Sequence, residues 1–106
     1  FSMPVLGCEV GRESIMLVMH TSGTTRLPKL VPLSHGQLGL GALCVAQTLN
    51  LRKGAAVNLN VMPLFHLHGL QVNILASAVA GAKVVCAHTF DAKSFVSWLC
   101  GGEGVD

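Results

Sequence analysis

Apolar and polar positions along the chain change period several times, and the changes mark its elements. Phe1 to Glu13 carries Pro4, Gly7 and Gly11 and reads as an irregular lead-in. Ile15 to His20 (IMLVMH) is a nearly unbroken apolar run of strand length, suited to a buried strand. Thr21 to Pro28 is a loop, and Lys29 to Leu33 a second strand kept short by Pro28 and Pro32. Ser34-His35-Gly36-Gln37 fits a capping box, with Ser34 as N-cap and Gln37 three residues on. Leu38, Ala42, Val45, Ala46 and Leu49 then share one helical face, and Asn50 to Gly54 ends the helix. From Ala56 to Met62 the period drops to two, with Val57, Leu59 and Val61 alternating with Asn58 and Asn60 before Pro63 stops the strand. Gly69 to Val79 predicts a helix closed by Gly81, and Lys83 to Ala87 a strand. Asp91 is placed to cap a last helix that carries Ala92, Phe95, Val96 and Leu99 and stops at Gly101-Gly102.

After the first loop the order is β-α-β-α-β-α, which predicts an α/β fold: a partial, mostly parallel sheet with crossover helices. In such sheets ligands sit beyond the carboxyl ends of strands. Thr21 to Pro28 follows one strand, and Leu64-Phe65-His66 follows another. Two polar features at strand ends of one sheet would share a site.

Composition sharpens this picture. Of 106 residues, 51% are hydrophobic and only 11% charged, against about 25% charged in an ordinary domain. With so few charges to solvate a small domain, the chain reads as a piece of a longer protein whose remainder covers much of its surface. Its opening at Phe1 and its ending on GGEGVD agree with that expectation, and the alternative is an unusually apolar complete domain. No Asp, Glu, Lys or Arg lies between Lys53 and Lys83, yet Asn58, Asn60, Pro63, His66, His68, Gln71 and Asn73 interrupt that window. Those polar groups would be costly in hydrocarbon, so buried core is expected rather than a membrane span. Phe1 to Gly11 lacks the basic-then-apolar order of a signal peptide. A net charge of +2 argues against nucleic acid or an anionic membrane as partner. Cys8, Cys44, Cys86 and Cys100 show no CxxC pairing and read as small buried hydrophobes in a reducing compartment.

The chemistry concentrates in Thr21-Ser22-Gly23-Thr24-Thr25, flanked by Arg26 and Lys29. The four hydroxyls are donors, and Gly23 lets successive backbone N–H groups converge on an anion. Lys29 adds a point charge and Arg26 a planar one. Neither the Walker spacing nor the Rossmann G-x-G-x-x-G is present. Read alone, such a stretch is either a phosphate cradle or a Ser/Thr/Gly surface turn.

HTSGTTRLPKLVPLSH resembles the phosphate-loop signature of the adenylate-forming (AMP-binding) superfamily, T-S-G-T-T-G-x-P-K-G-V with a Ser-His or Thr-His step into a helix. Thr21, Ser22, Gly23, Thr24, Thr25, Pro28, Lys29, Val31, Ser34 and His35 match it. LNVMPLFHLHGL resembles the family's aromatic-His element, and AGAKVVCAHTFDAKSFVSWL the strand and helix after it. The likeness divides the chain into a lead-in, 1–14, and a partial AMP-binding domain, 15–106, with the phosphate loop at 20–35 and the aromatic-His element at 61–70. It is nearest to acyl-CoA synthetases, including the oxalate-activating type.

The resemblance implies an ATP-dependent ligase that joins a carboxylic acid to AMP and then to coenzyme A, with Mg2+, in the manner of fatty acid metabolism. Thr21, Ser22, Gly23, Thr24, Thr25 and Lys29 would bind the nucleotide phosphates. Phe65 would supply an apolar wall, and His66 would act at the substrate carboxylate. The alternative for His66 is a hydrogen-bonded core histidine. His66 and His68 would face alike if the strand ran through them, but no third ligand stands at motif spacing and no metal site is expected. His20 and His88 are expected to be structural or to support the site from behind the residues that touch the ligand. Arg26 and Leu30 stand where the pattern has glycine; if position 30 needs a positive φ, leucine is strained there. The family's adenine, ribose and magnesium motifs and its catalytic lysine have no counterpart here. The chain alone is therefore expected to be inactive and to depend on the rest of its own polypeptide. The other reading is a truncated or degenerate relative that binds nucleotide without catalysis.

Overall fold

The computed structural model describes residues 9–21 and 28–101. The chain divides into two compact units, Phe1–Gln37 and Leu38–Asp106.

In the first unit β1 (Ile15–His20) pairs with β2 (Leu30–Ser34). The ladder is antiparallel, running from Ile15 opposite Ser34 to His20 opposite Leu30. A parallel pair needs a crossover of a dozen or more residues, and the short segment between Thr21 and Lys29 allows only a return. Pro32 sits in β2 opposite Val18, where a two-stranded ladder always offers an edge. Ser34 closes the strand and starts helix α1 (His35–Thr48). The capping box forms in both directions: the Gln37 N–H donates to Ser34 Oγ at 3.2 Å, and the Ser34 N–H donates to Gln37 Oε1 at 2.9 Å. The next orphan donors are met by the lead-in, His35 N–H by the Ser14 carbonyl and Gly36 N–H by the Arg12 carbonyl.

In the second unit α1 buries Leu38, Ala42 and Ala46, while Val45 is half-buried and Leu49 exposed. It ends on Asn50 in the left-handed region, with Leu51 N–H reaching back to the Ala46 carbonyl and Asn50 N–H to that of Gln47. Strand β3 (Val57–Asn60) pairs in parallel with β4 (Lys83–Cys86), Val57 opposite Lys83 and Asn60 opposite Cys86. The crossover between them begins with a turn-containing segment, residues 61–67, and then becomes helical. Residues His68–Leu75 are wound as a π-helix, and α2 (Ala76–Ala80) continues it. Gly81, at φ 65°, ends α2 as expected, a conformation costly for any residue with a Cβ. Helix α3 (Ala92–Leu99) starts on Asp91, whose carboxylate accepts from Ser94 N–H at 2.8 Å. These bonds hold the Asp91 carboxyl below the usual carboxylate range, the Ser94 backbone N–H contributing most.

The α/β class and the parallel strand–helix–strand unit thus stand, while the strands form two two-stranded sheets rather than one, and the first is antiparallel. Three further expectations are corrected. Cys44, Cys86 and Cys100 are free and exposed, not buried; Cys44 lies on the face of α1 away from Ala42 and Ala46, and Cys8 lies outside the described residues. The window between Lys53 and Lys83 is not uniformly core: Ala76 is buried, but Val57, Leu64, Phe65 and Val79 are exposed. In β3 the deepest residue is an asparagine, and the apolar face is only half-buried at Leu59. Asn60 is 3% exposed and Asn58 half-buried, whereas Val57 points outward. Asn58 Nδ2 donates to Ser77 Oγ at 3.1 Å, and Asn73 Nδ2 donates to Asn60 Oδ1 at 2.7 Å. A polar seam therefore joins β3 to the crossover helix, and its hydrogen bonds make burial of those amides tolerable. Third, Leu30 is extended, in the β2 ladder. Asn50 is the one non-glycine residue with positive φ among the described residues, so Leu30 carries no left-handed strain.

No helix of the described residues is long and apolar enough to cross a membrane.

Candidate functional site

The proposed phosphate loop leaves β1 at Thr21 and returns at Lys29. Ser22, Gly23, Thr24 and Thr25, together with Arg26, lie outside the described residues. The two ends of the loop are brought together. Thr21 N–H donates to the Lys29 carbonyl at 3.0 Å, and Lys29 N–H donates to Thr21 Oγ1 at 3.3 Å. The Thr21 hydroxyl keeps its own proton for a ligand, and both residues are exposed. The hairpin thus presents a hydroxyl and an ammonium-bearing residue side by side at the mouth of the loop.

The aromatic-His element follows β3 in the second unit. The strand ends at Asn60, and Met62 N–H turns back to donate to Asn60 Oδ1 at 3.1 Å. Pro63 to His66 is a turn, closed by His66 N–H on the Pro63 carbonyl at 3.1 Å. The π-wound helix then begins, with Leu70 N–H on the His66 carbonyl. His66 and His68 therefore lie on a turn and a helix, not on a continuing strand, and the alternation that would align them does not apply. His66 is exposed rather than a core histidine, and its ring lies 4.6 Å from that of Phe65, tilted by 44°. Gly69 packs directly on the turn: a Cβ there would sit 2.5 Å from the Pro63 carbonyl oxygen and 2.9 Å from that of Met62. Only glycine permits that approach.

Beyond the carboxyl ends of β3 and β4 lies a cavity of about 660 Å³. One wall is residues 60–65, the other residues 86–90. That volume suits a small organic ligand, and the position obeys the strand-end rule. Among the described residues the wall includes Phe65 and Phe90 and bears no Asp, Glu, Lys or Arg. His66 follows directly on the lining residue Phe65 without itself lining the cavity. His88, expected to be structural or to support the site from behind, is part of the wall. The signal for it was available: His88 stands just past β4, as Leu64 to His66 stands past β3. Among the described residues no three His, Cys, Asp or Glu side chains gather as metal ligands.

Residues 4–101 match the family model for AMP-binding enzyme.

The chain belongs to the AMP-binding enzyme family.

Its relatives include CoA ligases. It is 40% identical over 83 residues to the oxalate–CoA ligase of Saccharomyces cerevisiae, an alignment covering 78% of this chain and 15% of that protein. Two solved structures share its fold. ATP-bound MatB from Rhodopseudomonas palustris superposes with a TM-score of 0.79 at 24% identity, over 87% of this chain and 18% of that one. The o-succinylbenzoate CoA synthetase MenE of Bacillus subtilis, in complex with its acyl-adenylate intermediate, gives 0.72 at 29% identity, over 87% and 24%. This AMP-binding segment therefore spans about a sixth to a quarter of the length of these proteins.

Proposed function

We propose that this chain forms part of an ATP-dependent carboxylate–CoA ligase, in which its loop holds the nucleotide phosphates and its strand-end cavity receives the acid. In the first half-reaction a carboxylate oxygen bonds to the α-phosphorus while the bond to pyrophosphate breaks. In the second a thiol, that of coenzyme A, takes the acyl group and AMP leaves. The observation that carries the reading is the hairpin mouth, where Thr21 and Lys29 are locked together at the base of a hydroxyl-rich loop.

These two residues fit a phosphate. The Thr21 hydroxyl is held by a backbone bond and Lys29 is anchored beside it through its main chain, which places a donor and a cation-bearing side chain where charge gathers on departing pyrophosphate. Ser22, Gly23, Thr24 and Thr25 complete the cradle in this proposal. His66 donates to the substrate carboxylate and orients it, and Phe65 and Phe90 offer an apolar wall to the acyl portion. A magnesium ion would neutralise phosphate charge, but no described residues form a set to hold it, and coenzyme A likewise has no assigned residue here.

The test is carboxylate-dependent exchange of labelled pyrophosphate into ATP by the full-length protein, across a panel of aliphatic, aromatic and dicarboxylic acids. Exchange with at least one acid is expected. ATP binding without exchange for any acid would instead support a non-catalytic nucleotide-binding relative, a reading favoured by Arg26 at a glycine position of the loop pattern.

A further inference from the structure

The geometry points to Asn60 as a positioning residue for the acid-binding wall, an inference that rests on the reading of the strand-end cavity given above. Asn60 is the last residue of β3 and is 3% exposed. Its amide oxygen is saturated, accepting from Asn73 Nδ2 at 2.7 Å and from Met62 N–H at 3.1 Å. Its amide nitrogen lies 3.9 Å from Cys86 Sγ, a weak contact to the opposite strand. Met62 begins the turn that carries Phe65 and His66, and Cys86 begins the other wall. One buried side chain thus reaches both walls of the cavity and also the π-wound helix.

Cohesion alone does not call for asparagine here. Other positions of the same strand hold valine and leucine, and an aliphatic residue would fill a helix-facing site without desolvating an amide. What asparagine adds is direction. Asn73, itself 7% exposed, holds the oxygen in place. The oxygen in turn fixes the first amide of the turn, where the chain stops being a strand and no ladder bond can hold it. Met62 to Phe65 hang from that bond on one side and from the Gly69 contact on the other. Asn58 lies on the same face but bonds only to Asn73 and Ser77, away from the wall.

The test compares Asn60→Leu with Asn58→Leu in the full-length protein. Asn60→Leu should raise the carboxylate KM at least tenfold, roughly the effect of a fraction of an ångström of misplacement, and leave the ATP KM within about twofold. Asn58→Leu should lower the denaturation midpoint with both KM values unchanged. In the wild type, the Met62 amide should exchange with solvent as slowly as the Ala87 amide, which donates to the Asn60 carbonyl. An unchanged carboxylate KM in Asn60→Leu, an equal rise in Asn58→Leu, or a freely exchanging Met62 amide would each overturn the positioning role. A freely exchanging Met62 amide overturns the role even if Asn60→Leu does not fold. A wild type that shows no pyrophosphate exchange with any acid would defeat the ligase reading instead, whatever the Met62 amide does.

Discussion

Substituting Gly69 by alanine is a small change whose effect follows from three distances. The added methyl would meet the Pro63 carbonyl oxygen at 2.5 Å, the Met62 carbonyl oxygen at 2.9 Å and the Pro63 carbonyl carbon at 3.1 Å. A carbon next to a carbonyl oxygen normally keeps about 3.3–3.6 Å. All three neighbours are backbone atoms, so no rotamer change relieves the clash, and helix and turn must separate by nearly 1 Å. Overpacking of this kind costs about 1–3 kcal/mol. Alanine recovers up to about 1 kcal/mol through its better helical propensity. The net loss of stability is therefore small, about 0–2 kcal/mol from those two terms. The displacement matters more. It falls on Met62 and Pro63, in the wall that leads to Phe65 and His66, and a misplacement near 1 Å costs about 10²-fold in rate. Gly69→Ala in the full-length protein should lower kcat/KM for the carboxylate by about that factor, read by pyrophosphate exchange. Its denaturant midpoint should fall slightly, with the slope unchanged. A variant that retains kcat/KM within twofold would show that the turn tolerates the shift, and the structural reasoning would fail.

Other predictions concern separate features. Lys29→Ala should slow carboxylate-dependent pyrophosphate exchange by about 10²–10³-fold while hardly changing the affinity for the acid; equal exchange rates in mutant and wild type would remove Lys29 from the phosphate site. Ser34→Ala removes one half of the α1 capping box and should cost about 1 kcal/mol, measured as a lower denaturation midpoint and recovered by Ser34→Asp. The Asp91 cap should act only while ionised. Because its carboxyl titrates below the usual range in the folded state, its contribution is present above about pH 4 and is lost as pH falls through the folded value. Protection of the Ser94 amide, its exchange rate relative to the intrinsic rate at each pH, should therefore fall on acidification, and Asp91→Asn should remove that pH dependence.

Elements stabilised within a few residues were legible in the sequence. The Ser34–Gln37 box, the Asp91 cap and the Gly81 stop each involve partners one turn apart or less, so residue types at fixed spacing suffice to forecast them. The family was legible for a related reason: the loop and the aromatic-His element are short motifs whose residues are contiguous. The rule that ligands lie past strand ends pointed to Leu64 and Phe65, which line the cavity, and applied once more past β4 it points to His88, which lines it too.

What the sequence by itself determined, then, was the kind and order of the elements, the caps that bound them and the motifs they carry, because these depend on near neighbours along the chain. Tertiary structure alone decided how the elements pair and which way they face. Alternation marks a strand at Val57–Asn60 but is symmetric between its two faces, and only the amide partners on Asn73 and Ser77 made an asparagine its deepest residue. The division of the strands into two sheets rather than one and the bond from Gln71 Nε2 to the Leu38 carbonyl likewise follow from where segments meet in space. Those meetings are long-range, and a local pattern of hydrophobic and polar residues carries no direct record of them.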